Sequence, residues 1–240
     1  MINVVPQSAL TNRRHIWTPQ GWGYEAGTDF WFVGAASGML TSGNAHELAD
    51  YGWTTTALGF ATPSAADFIS AADQGTPNAL AFDAAGDLLK SPVIFGEYNH
   101  ALLAAEILGY TPTQLVAVIR AQFAVASNNE TATGFGFFED GGAPNVAADA
   151  FAMITSNGTN FVARSGADSD AGAAVDTAWH TWKLVIGAGP ADGIEWFMDG
   201  VSQGTFDTET DELPVGFGAG VLAATGANFF NLAWAHLYYA

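Results

Sequence analysis

Two tight-turn dipeptides, each set between short apolar segments, constrain the fold of this chain most. Asn157-Gly158 separates FAMITS from TNFVARS, and Asp199-Gly200 separates IEWFM from VSQGTF. A type I′ turn needs two residues that tolerate positive φ, and Asn-Gly is a preferred pair for it. We therefore predict a type I′ hairpin around Asn157-Gly158 and a second tight turn at Asp199-Gly200.

Alternating apolar residues flank these turns and predict further strands. In HTWKLVIG (180–187), Trp182, Leu184 and Ile186 alternate with other residues. In NFFNLAWAHLYYA (228–240), the residues predicted to share one face are Phe230, Leu232, Trp234, His236 and Tyr238. Residues 113–127 and 133–141 also show strand patterns. Since alternate residues of a strand share one face, one set should enter the core. The residues predicted to be buried are Trp182, Leu184, Ile186, Phe230, Leu232 and Trp234. Several short strands that follow one another, with turns between them, predict an all-β, two-sheet antiparallel sandwich.

The chain before residue 113 carries weaker signals. Residues 1–30 lack strand periodicity and contain several Pro and Gly residues, so we interpret them as an extended N-terminal arm. Residues 31–240 would form the sandwich domain, most securely from 113. The segment 29–39 favours a strand and a turn, and two short helices are predicted at 64–73 and 100–110. Residues 165–176 are interpreted as a polar, acidic loop.

The order of these elements resembles a known superfamily. HTWKLVIG, then IEWFMDGVSQGTF, then a final strand rich in Trp and Tyr is similar to the closing half of concanavalin-A-like, laminin-G-like jelly rolls. RAQFAVASNNETATGFGFFED (120–140) resembles an early strand pair of that superfamily. The resemblance implies a jelly-roll sandwich. It leaves function open, because similar domains occur in lectins, glycosidases, polysaccharide lyases and virion proteins of tailed bacteriophages.

Charge excludes several classes of partner. The chain has six Lys+Arg against 24 Asp+Glu, a formal net charge of −18. Too few cations are present to build a face for nucleic acid or for an anionic membrane. Charged residues make up 12% of the chain, against about 25% in typical domains. Protein interfaces are depleted in charge, although a genome biased towards Ala and Gly would give the same composition. Without cysteine, disulfides and thiol chemistry are excluded.

The arm supplies the candidate binding residues. Large aromatic side chains anchor irregular segments and dominate protein interfaces. The candidates, in the arm and one later irregular segment, are Arg13, Arg14, Trp17, Trp22, Tyr24 and Trp53. We expect the arm to dock on another subunit, with an intramolecular clasp over the sheet as the alternative.

Catalytic and metal signals are weak. Adjacent Glu139 and Asp140 would point to opposite faces of a strand, so they cannot form the carboxylate pair of a glycosidase. Glu195 is the best remaining carboxylate, yet it fits a solvent-facing strand position, and we expect Glu195→Gln to leave function unchanged. The five histidines lack zinc spacing. Acidic segments at 168–170 and 207–212 leave calcium open as an alternative, without a defined calcium motif.

These observations lead to a first hypothesis and two alternatives. We expect a non-enzymatic structural or decoration protein of a bacteriophage virion, without a cofactor. It would associate with other particle subunits and form a homo-oligomer. The alternatives are a lectin-like carbohydrate-binding module and, third, a glycoside hydrolase. The N-terminal sequence has no basic start followed by an apolar segment, so synthesis in the host cytoplasm without a secretory signal is expected.

Overall fold

The structure is a computed structural model of the 240-residue chain. It describes residues 15–18, 21–24, 30–31, 54–56, 68–69, 79–82, 85–91, 114–123, 133–144, 146–166, 168–187, 193–206, 215–221 and 230–239. Within these residues, all paired strands are antiparallel. The only helical turn in the described part of the chain is a short 3₁₀ helix at Ala147–Asp149.

Seventeen strands are present in the described residues. In chain order they are β1 (His15–Thr18), β2 (Gly21–Tyr24), β3 (Phe30–Trp31), β4 (Thr54–Thr56), β5 (Phe68–Ile69), β6 (Ala79–Phe82), β7 (Leu88–Lys90), β8 (Gln114–Phe123) and β9 (Thr133–Glu139). They continue as β10 (Ala150–Ser156), β11 (Asn160–Ser165), β12 (Asp168–Ala174), β13 (Trp179–Gly187), β14 (Ile194–Met198), β15 (Val201–Phe206), β16 (Val215–Val221) and β17 (Phe230–Tyr239).

Two large sheets form an all-β sandwich of the jelly-roll type, as predicted. The seven-stranded sheet has the order β12-β11-β10-β9-β16-β7-β4. The eight-stranded sheet has the order β15-β14-β13-β8-β17-β6-β5, and β3 also pairs with β17. Strands β3 to β7, which precede residue 113, therefore belong to the same two sheets. The remaining strands, β1 and β2, form a separate hairpin.

Aromatic side chains from both sheets fill the core between them. Rings of Phe123 and Trp182, from the eight-stranded sheet, meet Phe135 and Phe161 from the other sheet, with the Phe161 and Trp182 centroids 4.8 Å apart. Trp196 stacks on Trp182 at 6.4 Å. Large rings at these spacings bury much apolar surface and favour the offset and edge-on packing seen here. The inward faces of both sheets are thereby fixed.

Five of the six residues predicted to be buried lie in this core. Trp182, Leu184, Ile186, Phe230 and Leu232 are all buried, while the side chain of Trp234 lies outside the described residues.

The prediction that a single alternation runs from Phe230 to Tyr238 is wrong. The pairing of β17 with β8 shifts between Leu232 and Trp234, and the core face continues as Ala235 and Leu237. One extra residue in a strand reverses the direction of every later side chain.

The hairpin of β10 and β11 forms as predicted, but its type I′ turn does not. Asn157 is absent from the positive-φ residues, whereas Gly158 has a φ of 82°. Asn157 instead folds its side chain over the turn, where Oδ1 accepts hydrogen bonds from the Thr159 and Asn160 N–H groups at 2.9 and 2.8 Å. The amide therefore replaces a backbone turn with an Asx turn. At Asp199-Gly200 both residues have positive φ, 50° and 81°, so this tight turn is confirmed.

Two other local predictions are wrong, because pairing with other strands determines the structure of these two segments. The segment interpreted as an acidic loop contains the seven-residue strand β12, which pairs with β11 at the edge of its sheet. In the helix predicted at 64–73, Phe68–Ile69 form β5 and pair with β6. Backbone hydrogen bonds to a neighbouring strand outweigh weak local helix propensity. The helix predicted at 100–110 lies outside the described residues.

The two edge strands β12 and β15 close one side of the sandwich. Gln203 Oε1 accepts a hydrogen bond from the Ala173 N–H at 2.9 Å. Trp196 Nε1 donates to Asp170 Oδ2 at 2.7 Å, which satisfies the indole N–H of a fully buried tryptophan. Gly204 allows this approach, because a Cβ there would overlap the Asp170 carboxylate. An edge covered in this way is protected from pairing with another chain.

Candidate functional site

The predicted aromatic residues of the arm lie in a β-hairpin. In the register of β1 and β2, Trp17 is opposite Trp22 and His15 is opposite Tyr24. Strand β1 lies beside β17 of the sandwich, a contact of the kind that an intramolecular clasp requires. Docking on a second subunit stays a prediction. Arg13, Arg14 and Trp53 lie outside the described residues.

A different surface gathers polar and aromatic side chains: the face of the eight-stranded sheet that points away from the core, here called the outer face. One row crosses three strands, with Trp179 of β13 opposite Gln122 of β8, which is opposite Asn231 of β17. Gln122 Nε2 donates to the Thr177 carbonyl at 2.6 Å, and Asn231 Nδ2 donates to Gln122 Oε1 at 3.1 Å. Trp179 is half-buried, and its indole N–H has no acceptor in the described part of the chain. Asn231 is buried, so it is the amide of the partly exposed Gln122 that is held in a fixed position beside an aromatic ring.

The next two rows carry the cations of this face. Arg120 is opposite Thr181 and donates from Nη1 to Thr181 Oγ1 at 3.2 Å. Lys183 is opposite Phe197, and its Nζ lies 5.0 Å from the centre of that ring. This distance allows a cation–π attraction. Both cations therefore contact neutral groups directly, while Asp199 is near enough to Arg120 for a charge–charge interaction that helps to lower the pKa of Asp199.

A small apolar cluster lies beside the polar rows. Val116 and Val185 are buried on the outer face, where Val118 and Phe197 pack against them. This cluster is separate from the main core. Trp179 and Phe197 flank the polar rows on neighbouring strands. Lys183, the partner of Phe197, lies four positions after Trp179 in β13, so the rows of Trp179 and Phe197 are about 14 Å apart along the strand. The partly exposed residues of the outer face are therefore spread over several rows of the sheet.

His180 anchors the start of β13, directly between Trp179 and Thr181 of the outer face. Its Nδ1 donates to Asp199 Oδ2 at 2.6 Å, and its Nε2 donates to Asp176 Oδ1 at 2.8 Å. An ionised carboxylate can only accept hydrogen bonds, so both ring nitrogens must carry a proton. His180 is therefore an imidazolium that ties the strand to the turn at Asp199-Gly200.

The protonation states of this cluster follow from its contacts. Burial alone lowers the pKa of His180, but the hydrogen bonds with Asp199 and Asp176 outweigh it and raise that pKa above its ordinary value. Burial raises the pKa of both carboxyl groups, yet the net shift is downward. For Asp176 the bond from His180 lowers the pKa most, and for Asp199 the bond from the Thr181 N–H does. The hydrogen bonds thus favour the charged forms of all three side chains.

The candidate carboxylates of a hydrolase do not converge in the described residues. Glu195 lies on the outer face and accepts a hydrogen bond from Ser202 Oγ at 3.0 Å. Glu139 ends β9, and Asp140 follows it in an exposed turn. Asp170, of the segment considered for calcium, is engaged with Trp196, and residues 207–212 lie outside the described part. No group of three or more acidic or histidine residues suited to a metal ion occurs among the described residues.

Sequence reasoning placed the binding residues in irregular segments and missed the outer face. Gln122, Lys183 and Asn231 alternate with core residues along their strands, which is a readable signal. The sequence does not tell which strands are neighbours, however. Only the order β14-β13-β8-β17 brings these side chains into adjacent rows.

Comparisons with known proteins give structural likeness alone. No protein-family model matches the chain, and no curated protein matches its sequence. A carbohydrate esterase from the Shiga toxin-encoding bacteriophage phi24B is 12% identical with a TM-score of 0.50, over 88% of this chain and 96% of that one.

Other similar structures have lower TM-scores. A Trypanosoma rangeli sialidase mutant with trans-sialidase activity is 11% identical with a TM-score of 0.47, over 78% of this chain and 27% of that chain. A botulinum neurotoxin type C structure is 6% identical with a TM-score of 0.41, over 67% of this chain and 39% of that one. The chain spans about a quarter of the length of the sialidase structures it matches. The comparisons support a β-sandwich fold. In the described residues, no helix is long and apolar enough to cross a membrane.

Proposed function

We propose that this chain is a non-enzymatic, glycan-binding β-sandwich, and that the outer face of the eight-stranded sheet is its binding surface. The partly exposed Trp179 and Gln122, next to Arg120 and Lys183, carry this proposal, and the buried Asn231 holds the Gln122 amide in place. Sugar rings offer apolar faces that stack on aromatic side chains and hydroxyl groups that pair with amides and charged donors. Binding sites typically combine aromatic side chains with a few fixed polar groups in this way.

The support of the site by a sheet favours binding without large rearrangement. Side chains on strands are held more rigidly than side chains on loops, so less conformational entropy is lost when a ligand binds. The Gln122–Asn231 bond and the cation–π contact of Lys183 hold three of these side chains before any ligand arrives. The esterase of similar fold acts on carbohydrate, but a shared fold is only an analogy for function.

Binding to a glycan array, followed by calorimetry on the best ligand, tests this proposal. We expect Trp179→Ala and Gln122→Ala each to weaken binding roughly ten-fold or more, as for central contacts of an interface. Val146→Ala serves as a control, because Val146 is exposed on a loop next to the other sheet. Absence of binding to every glycan, or unchanged affinity in both variants, would contradict the proposal.

A virion structural or decoration protein is the second candidate. The low charged content and the similar size of the bacteriophage esterase favour it. In this function the chain forms a homo-oligomer or binds a particle, with its hairpin at the interface. Mass measurement under native conditions separates the candidates, because an assembly protein is expected as a trimer or larger. A monomer that binds glycan would support the glycan-binding candidate and contradict the virion candidate. Polysaccharide turnover that Glu195→Gln abolishes would contradict both.

A further inference from the structure

The outer face concentrates positive charge in a chain that has very little. Only six Lys and Arg residues stand against 24 acidic residues, and Arg120 and Lys183 occupy neighbouring rows of adjacent strands on this face. Within the described residues, the ion pairs present involve His180, so neither of these two cations has a carboxylate within 4.0 Å. The outer face therefore carries two cations that have no ion pair with the residues that the structure describes.

The nearby carboxylates are engaged with other groups. Glu195 accepts from Ser202, and Asp199 accepts from His180 and from the Thr181 N–H. Arg120 contacts the hydroxyl of Thr181 with one nitrogen. Since a guanidinium has five N–H donors, several stay available for a ligand. Lys183 rests on the Phe197 ring, and the ammonium group keeps its three donors.

We propose that the glycan bound by the outer face is anionic, with carboxylate or sulfate groups that contact Arg120 and Lys183. This inference rests on the proposed glycan-binding function and names its ligand class. The adjacent amide of Gln122, which the buried Asn231 holds in place, suits a hydroxyl group of the same ligand. An acidic segment of another protein could also meet the two cations, but it would leave the Gln122 amide without a matching role. Because the net charge of the chain repels anions at long range, selectivity comes from these short contacts.

Matched ligand pairs test the charge requirement. Each acidic oligosaccharide of a panel is compared with its neutral form: oligogalacturonate with its methyl ester, and sulfated oligosaccharides with the desulfated ones. For the best pair, we expect the acidic form to bind at least ten-fold more tightly. Arg120→Gln and Lys183→Gln should each weaken binding of the acidic form by roughly ten-fold, the size of one lost charge-assisted hydrogen bond. Binding of the neutral form should change about two-fold or less.

Arg164→Gln is the matched control, because it removes the same charge from β11 of the other sheet. Thermal melting verifies that each variant is folded. If a variant does not fold, binding of the ligand pairs to the unaltered protein still shows whether the glycan must be anionic. Equal or tighter binding of the neutral forms would overturn this inference and leave glycan binding intact. Absence of binding to all pairs would overturn both. Binding of poly-glutamate as tight as that of the best acidic glycan would assign the face to an acidic protein segment instead.

Discussion

The cluster of His180, Asp176 and Asp199 predicts a specific pH dependence of stability. In the folded protein the pKa of His180 is raised above its ordinary value of 6.5. A group with a raised folded-state pKa stabilises the fold fully below its unfolded-state pKa, and this contribution disappears as the pH rises through the folded-state value. The free energy of unfolding should therefore fall as the pH rises from about 6 to 9.

The two carboxylates affect the stability of the fold at low pH. The pKa values of Asp176 and Asp199 are lowered from their ordinary value of 3.8. Their contribution is present above that value and is lost as the pH falls through the lowered folded-state pKa values. The cluster consequently stabilises the fold most between about pH 4.5 and 6.

The hydrogen bonds of His180 and the exposure of their acceptors set the size of the cluster's contribution to stability. His180 donates two hydrogen bonds to charged acceptors, each worth about 1.5–3 kcal/mol when buried. The two carboxylate side chains are 50% and 53% exposed, so solvent screening reduces this value. We expect the cluster to contribute about 1–2 kcal/mol at pH 5.5, most of it lost at pH 9.

Chemical denaturation of the native protein and of His180→Gln, at a series of pH values, measures this contribution. Because other histidines also titrate, the informative quantity is the difference between the two proteins. It should be about 1–2 kcal/mol at pH 5.5 and should shrink towards pH 9. An NMR titration of the His180 ring should give a pKa above 6.5. Parallel stability curves for the two proteins across this range, or a ring pKa at or below 6.5, would refute the reasoning.

Two further predictions concern the edges of the fold. Gly204→Ala should lower the free energy of unfolding by about 1–3 kcal/mol, because its Cβ displaces the Asp170 carboxylate and leaves the indole N–H of Trp196 without an acceptor. In an Asp170→Ala background the same change should cost much less, and additive effects in this double-mutant cycle would show that the two residues are not coupled. Deletion of residues 1–24 should lower the melting temperature of the isolated monomer, since β1 lies beside β17. Unchanged melting with lost association would indicate docking on a second subunit instead.

The sequence by itself determined the local elements whose chemistry is local. Asp199-Gly200 forms a tight turn because these two residues tolerate positive φ whichever sheet they join. Alternation placed Trp182, Leu184 and Ile186 in the core, since a strand with one buried face leaves no other register.

Tertiary structure decided everything that depends on which strands are neighbours. The acidic segment at 168–174 forms a strand because β11 offers it a hydrogen-bonding edge. The bulge in β17, which turns Ala235 and Leu237 into the core, comes from its pairing with β8. The candidate site has the same origin. Gln122, Lys183 and Asn231 are far apart in the chain, and they lie on one face of the sheet because long-range backbone hydrogen bonds align β13, β8 and β17. Local propensities carry no information on such pairings.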